Sequence, residues 1–189
     1  MMTDLCRLAY RYGSDKCPIM LHHYTPVYYN LFKDKRKTVK KVLEIGVGGP
    51  QDMSHCANYT RGASLYMWRD FFPKAQIYAL DIVPELIFKD ERIVTFLGDQ
   101  TKTTDLKKLI KKIGKDIDLV IDDGSHKAED QIFTCLTLMP LLNKEVIYAI
   151  EDIVDLNSIM QKLSKYDCQY ERFRPKGGFS DRLVIVRNK

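Results

Sequence analysis

Residues 41–49 read KVLEIGVGG, a short apolar run that ends in a turn glycine makes most easily. Apolar side chains pointing both ways fit a strand covered on both faces, as in a parallel sheet held between helix layers. Gly46 and Gly48 then let the backbone turn sharply and approach a ligand.

Outward from this stretch the same kind of run recurs. AQIYALDI (75–82), RIVTFLGD (92–99), DIDLVIDDG (116–124) and EVIYAIED (145–152) are short and rich in Val, Ile, Leu or Tyr. Between them the patterning predicts helices over 64–72, 103–114 and 127–142, the second opened by a Thr cap and closed by Gly114. The alternation implies an α/β fold with a doubly wound, mostly parallel sheet. After a further helix near 155–165, CQYERFRP and RLVIVRN, joined by the Gly-rich KGGFSD, read as an antiparallel hairpin closing the sheet edge. The first 35 residues predict one or two helices separated by a polar excursion. The whole chain, 1–189, reads as one domain, with 1–38 as a helical lid or substrate segment.

Composition agrees with one packed domain: 189 residues, 45% hydrophobic and 29% charged. No apolar stretch is long enough to span a bilayer, and the opening residues lack a secretory pattern, so the expectation is a soluble, cytoplasmic protein without a membrane partner. Five dispersed cysteines, with no C-x-x-C pair, argue against a disulfide framework or a structural zinc site. The net charge of +5 is concentrated in KDKRKTVKK (33–41) and KKLIKK (107–112). These runs read as a solvated linker and a solvated helix face more readily than as a nucleic-acid surface.

In open α/β sheets ligands bind beyond the carboxyl ends of the strands, and here those ends are acidic. The strands finish with Glu44 and the glycine turn, Asp81, Asp99 with Gln100, Asp122 with Asp123, and Glu151 with Asp152. A dinucleotide fingerprint would want glycine at position 51, which is Gln51, and a helix at once. Instead PQDMSHCANYTRG (50–62) intervenes, so the turn suits a cofactor without a pyrophosphate. S-adenosylmethionine fits: Asp81 would hold the ribose diol, Asp99 and Gln100 would sit near the adenine, and Glu44 would support the amino-acid end. Alone, Asp81 reads equally well as a solvent-facing loop acid; five successive acidic strand ends weaken that reading.

The stretch IDDGSH (121–126) raises a physical difficulty, because Asp122 or Asp123 facing Glu151 and Asp152 would place like charges together. A divalent cation removes it, and hard oxygen ligands favour Mg²⁺ over zinc. His126, three residues past Asp123, is then a candidate base for an acceptor hydroxyl at neutral pH. An isolated histidine there would read as a helix-start residue; beside a carboxylate cluster the catalytic reading is preferred. The pair His22 and His23 is a candidate for lining the entrance as a lid.

The blocks YGSDK, HHYTPVYYNLF, LEIGVGG, GASLYMWRDFFPKAQIYALDI, LGDQ, IDDGSH and AIED, in this order and over nearly the whole chain, give it a family likeness. The sequence resembles the metal-dependent deoxysugar O-methyltransferases of macrolide biosynthesis, of the mycinamicin type, within the class I S-adenosylmethionine-dependent superfamily. The resemblance implies a Rossmann-like seven-stranded sheet and a homo-oligomer acting on a hydroxyl of a sugar or glycoconjugate. It implies that Asp123, Glu151 and Asp152 bind Mg²⁺, that His126 is the general base, and that the Gly46 turn, Asp81, Asp99 and Gln100 contact the cofactor. Departures are Asp130 where a second histidine is often found, NKEV in place of a glycine-rich turn, and no counterpart of the extra N-terminal domain of some relatives. Two rivals are a catechol-type O-methyltransferase and an RNA-binding methyltransferase. Against the latter, no lysine is expected at the acidic strand ends, where ribose 2′-O-methyltransferases typically carry a Lys-Asp-Lys-Glu set.

Overall fold

In the computed structural model, which describes residues 2–49, 56, 58–173 and 181–189, the sheet is organised around β1 (Lys41–Ile45), buried at every position after Lys41. Parallel neighbours lie on either side: β2 (Gln76–Asp81) and β5 (Leu119–Asp122). Beyond β2 come β4 (Ile93–Leu97), parallel, and the two-residue β3 (Lys89–Asp90), antiparallel. Beyond β5 come β6 (Ile147–Ile150), parallel, then β8 (Arg182–Arg187) and β7 (Asp167–Arg172), both antiparallel. The order β3-β4-β2-β1-β5-β6-β8-β7 reverses its direction of travel at β1. That is the topological switch point, where an open α/β sheet leaves a crevice.

Each face of the sheet carries one helix layer and one apolar cluster. On one face α1 (Asp4–Tyr12), α2 (Tyr24–Phe32) and α3 (Ala63–Phe71) pack Leu5, Tyr28, Phe32, Trp68 and Phe71 over Ile77 and Ile121. On the other, α4 (Thr103–Ile113), α5 (Ala128–Leu138) and α6 (Leu156–Lys162) cover Leu43, Val120 and Tyr148. Burying strands on both faces removes apolar surface worth about 25 cal/mol per Å², which explains their lack of polar alternation. The lysines of α4, Lys107, Lys108, Lys111 and Lys112, lie on its exposed side, as a solvated helix face requires.

The structure adds to the sequence reading in three places. Among the described residues the sheet has eight strands rather than the seven expected, because residues 89–90 fold back on β4 through a turn in which Arg92 has φ of 55°. Thr103 is not a cap; it lies inside α4, whose N-cap residue is Lys102, while Gly114 does end the helix. Helix α5 stops at Leu138 and continues as a 3₁₀ turn over Met139–Leu141, since Pro140 has no N–H to continue the α-helical ladder. The glycine-rich connection of the hairpin, residues 176–180, lies outside the described residues, as does Gln51.

The glycine turn is also a packing contact. Gly46 has φ of 91°, and a Cβ there would lie 2.2 Å from the backbone oxygen of Asp123. Asp123 N in turn donates to Ile45 O at 3.0 Å, so the ends of β1 and β5 are held face to face. Left-handed backbone alone costs an L-residue roughly 1–2 kcal/mol, and the clash is with backbone that has little room to move. Gly46→Ala is therefore expected to destabilise the fold by at least about 2 kcal/mol in urea denaturation; an unchanged midpoint would show that these strand ends are not packed together.

Candidate active site

The crevice at the switch point is a cleft of about 920 Å³, walled by Gly46, Gly48, Asp81, Asp99, Asp123 and Asp152 among others. Its first half gathers the residues expected to meet a cofactor. Asp81 is nearly buried, with Oδ2 accepting from Val47 N at 2.7 Å and Oδ1 accepting from Val83 N at 2.8 Å. Those bonds fix the carboxylate plane and leave each oxygen further acceptor capacity. Asp99 accepts from the backbone N and hydroxyl of Thr101 at 2.9 and 2.7 Å, and those bonds, with help from Lys102, hold its carboxyl below the usual range.

Gln100 and Glu44 sit differently. Gln100 reaches the cleft, but its amide ties the next loop in place. Nε2 donates to Asp122 Oδ1 at 3.2 Å and Thr134 Oγ1 at 3.1 Å, while Oε1 accepts from Ser125 N at 2.9 Å. Glu44 is wholly buried behind the cleft wall, accepting from Trp68 Nε1 at 3.0 Å, and burial pushes its pKa up to about 7.

The second half holds the acids that follow β5 and β6. Successive residues of a strand point to opposite faces, and the adjacent pair Asp122 and Asp123 separates accordingly. Asp122 is fully buried against Tyr148 Oη at 2.8 Å and the Gln100 amide, and burial pushes its pKa up to about 7. Asp123 turns into the cleft, where its carboxylate, the imidazole of His126 and the carboxylate of Asp152 bring ligand atoms within 4.8 Å of one another. His126 Nε2 lies 3.1 Å from Asp123 Oδ1 and 3.9 Å from Asp152 Oδ2. Asp152 is further held by Tyr24 Oη, which donates to Oδ1 at 2.9 Å. Of the three non-glycine residues with positive φ among those described, two are His126 (57°) and Asp152 (50°). Strain of this kind is kept where surrounding structure enforces it, most often at functional sites.

The sequence reading missed what lies behind these acids. Lys16, in the YGSDK block, enters from the loop after α1 with only 3% of its side chain exposed. Its Nζ donates to Asp123 Oδ2 at 2.5 Å and to Glu151 Oε2, and lies 3.4 Å from Glu44 Oε1. Glu151 is fully buried and also accepts from Tyr28 Oη at 2.6 Å. A lysine therefore does stand among the acidic strand ends, contrary to the expectation drawn against an RNA enzyme; it arrives from a different part of the chain. Burial opposes its charge, but Asp123, Glu151 and Glu44 overcome this and hold the ammonium well above its ordinary range. Burial raises Glu151, opposed by Lys16, and raises Asp152, reinforced by Asp123. For Asp123, burial is outweighed by Lys16 and His126, which keep it below the usual carboxylate range.

The histidine pair divides as well. His22 lines the cleft yet is 4% exposed, stacked on Tyr24 and 3.7 Å from oxygens of Asp15, Asp152 and Asp181. His23 turns to Asp181, with Nδ1 2.7 Å from Oδ2. Asp130, noted above as a departure from the family pattern, accepts from Ser125 Oγ at 2.7 Å and steadies the turn before α5.

The fold is that of the class I methyltransferases, with the glycine turn and the acidic strand ends at its switch point. Within that class its sequence relatives are sugar O-methyltransferases of tetracenomycin and macrolide biosynthesis. The chain is 38% identical over 150 residues to 8-demethyl-8-(2-methoxy-alpha-L-rhamnosyl)-tetracenomycin-C 3'-O-methyltransferase of Streptomyces olivaceus, a match covering 79% of this chain and 37% of that protein. It is 39% identical over 150 residues to mycinamicin VI 2''-O-methyltransferase of Micromonospora griseorubida, covering 79% of this chain and 36% of the relative. The solved structure of MycE methyltransferase with Mg, SAH and mycinamycin VI superposes with a TM-score of 0.76 at 30% identity, over 98% of this chain and 54% of that one. The chain thus spans well under two thirds of the length of these relatives. No family model matches it.

The geometry makes a titration prediction. Burial lowers the pKa of His126, but its bond to Asp123 and the charges of Asp123 and Asp152 lift it to about 9. A histidine raised in the folded state adds stability below its unfolded pKa of about 6.5, and that contribution disappears as pH climbs through about 9. In metal-free protein, NMR of the imidazole is expected to show a midpoint near 9 that moves down in Asp123→Asn; an unshifted midpoint in the unsubstituted protein would show that the pair does not form.

Proposed function

We propose that the chain is an S-adenosylmethionine-dependent O-methyltransferase domain that transfers a methyl group to a hydroxyl of a deoxysugar or glycoconjugate, with Mg²⁺. The observation that carries this is the convergence of Asp123, His126 and Asp152 within 4.8 Å in a cleft that is also lined by the glycine turn, Asp81 and Asp99. The relatives named above support the acceptor class, and the MycE structure supports the cofactor and the ion.

The residues present fit both groups. Asp81, with its plane fixed by two backbone N–H donors, would accept from a ribose diol, and Asp99 and Gln100 also line the cleft. S-adenosylmethionine supplies an electrophilic methyl on a sulfonium. Asp123, Glu151 and Asp152 are the carboxylates to hold Mg²⁺: Asp123 and Asp152 already reach toward a common point, and Glu151 lies behind them, shared with Lys16 and Tyr28. When bound, the ion supplies Lewis acidity toward an alcohol that is otherwise a poor nucleophile.

His126 removes the hydroxyl proton. With Nε2 directed at Asp123 Oδ1, Nδ1 is the nitrogen left to receive it. Beside the carboxylates of Asp123 and Asp152 the imidazole holds its proton; a dication compensating those charges would free it to act as a base. Tyr24 and the left-handed backbone at 126 and 152 hold the groups in their mutual orientation, so the proton acceptor and the acids meet a hydroxyl without rearrangement. We further propose that the protein is a homo-oligomer, which sedimentation would check.

Asp152→Asn is expected to lower methyl transfer to a deoxysugar nucleotide by at least about a hundredfold while calorimetric affinity for S-adenosylmethionine stays within about threefold, since the acid serves the acceptor rather than the cofactor. Full activity of the unsubstituted protein in chelator would rule out the metal. Faster turnover of a catechol would move the acceptor class, and salt-steep binding of RNA would favour the nucleic-acid alternative.

A further inference from the structure

Lys16 is not a surface ion pair. Its loop is fixed at both ends: Ser14 N donates to Ala9 O at 2.9 Å, and Thr25 N donates to Lys16 O at 3.0 Å. Within it, His22 N donates to Asp15 O at 2.8 Å, closing the excursion on itself. The ammonium is thereby carried to a depth where 3% of the side chain meets solvent, and it faces carboxylates from the ends of β1, β5 and β6. One ammonium is thus shared among the carboxyl groups of Glu44, Asp123 and Glu151. Glu44 Oε1 has no hydrogen-bond partner among the described residues, its nearest cation being Lys16 at 3.4 Å.

Asp123 uses its two oxygens in opposite directions. Oδ2 points inward to Lys16, and Oδ1 points outward to His126. The lysine therefore fixes the rotation of the carboxylate that the outer group needs. Asp123 and Glu151, the two acids it grips, are both in the set proposed above for the metal ion. An ammonium within hydrogen-bond distance of both repels a dication brought to the same carboxylates, by an amount that low local dielectric magnifies.

We propose that Lys16 is a positioning residue of the acid cluster, a tethered cation that holds Asp123 and Glu151 in place and competes with a divalent ion for them. The competition rests on the metal reading above; the positioning does not. The N-terminal loop and the ion then answer to the same carboxylates, so ordering of residues 13–24 and occupancy of the metal site are thermodynamically linked.

The test uses Lys16→Met, which keeps the length of the side chain and removes its charge. In chelator the variant is expected to melt at least about 5 °C below the unsubstituted protein by calorimetry. Mn²⁺ followed by electron paramagnetic resonance is expected to bind the variant at least about tenfold more tightly, and to raise its melting temperature by more than it raises that of the unsubstituted protein. Equal melting temperatures in chelator, or unchanged or weaker Mn²⁺ binding, would overturn the proposal. Should Lys16→Met fail to fold, the double variant Lys16→Met/Glu151→Gln removes a stranded charge and is expected to recover folded protein; no recovery counts against positioning. Mn²⁺ binding by neither protein would sink the competition together with the metal reading, while the chelator comparison still judges positioning by itself.

Discussion

The Lys16 ammonium among buried carboxylates is the interaction on which the rest of the site depends. Three strands end in acids at the switch point of the sheet, and Glu44 and Glu151 are fully buried there. Removing one partner from such a group leaves an uncompensated charge in low dielectric, typically a loss of 3–5 kcal/mol. The fold meets this constraint by threading the loop between α1 and α2 beneath the cleft, so the charge that completes the sheet comes from outside it. Tyr28 and Trp68, two of the largest buried side chains, spend their polar atoms on Glu151 and Glu44. The helix layer and the acid cluster are therefore one structure.

The second constraint is backbone geometry. Gly46 lets the end of β1 lie against the backbone of Asp123, and Gln100 grips the following turn through Ser125 N. Gly124 is pressed on this same amide, with a Cβ position 2.0 Å from Gln100 Oε1. With the loop held on two sides, His126 can be kept in a left-handed conformation that histidine does not ordinarily prefer, and its ring is delivered beside Asp123 and Asp152. Gln100, which follows β4, thus ties that strand end to the loop after β5.

These features explain how a fold shared by many methyltransferases would serve the chemistry proposed here. A sulfonium donor needs acids that bind and orient it; an aliphatic hydroxyl needs a proton acceptor and compensation of the negative charge that develops. The cleft separates these needs spatially, with Asp81 and Asp99 on the β2 and β4 side and Asp123, Asp152 and His126 on the β5 and β6 side. The likeness to sugar O-methyltransferases covers about four fifths of this chain, and the structural likeness to MycE nearly all of it.

The sequence by itself determined the strands and their order of use. Continuous apolar runs report burial on both faces, glycines report the turn, and acids directly after such runs fall at the carboxyl edge because the strand ends there. Hence β1, β2, β4, β5 and β6 were legible to within a few residues, as were the acids that border the cleft. What the tertiary structure alone decided is which of those acids meet. Alternation along an extended backbone sends Asp122 to Tyr148 and Asp123 to His126, and adjacency in the sequence is silent on which is which until the neighbours on each face are known. Lys16 lies 107 residues from Asp123 in the chain, with a loop that carries no periodic signal; only the packing of α1 and α2 on the sheet puts its charge there. Local pattern encodes burial and turns, whereas electrostatic partnership between distant segments is created by the fold.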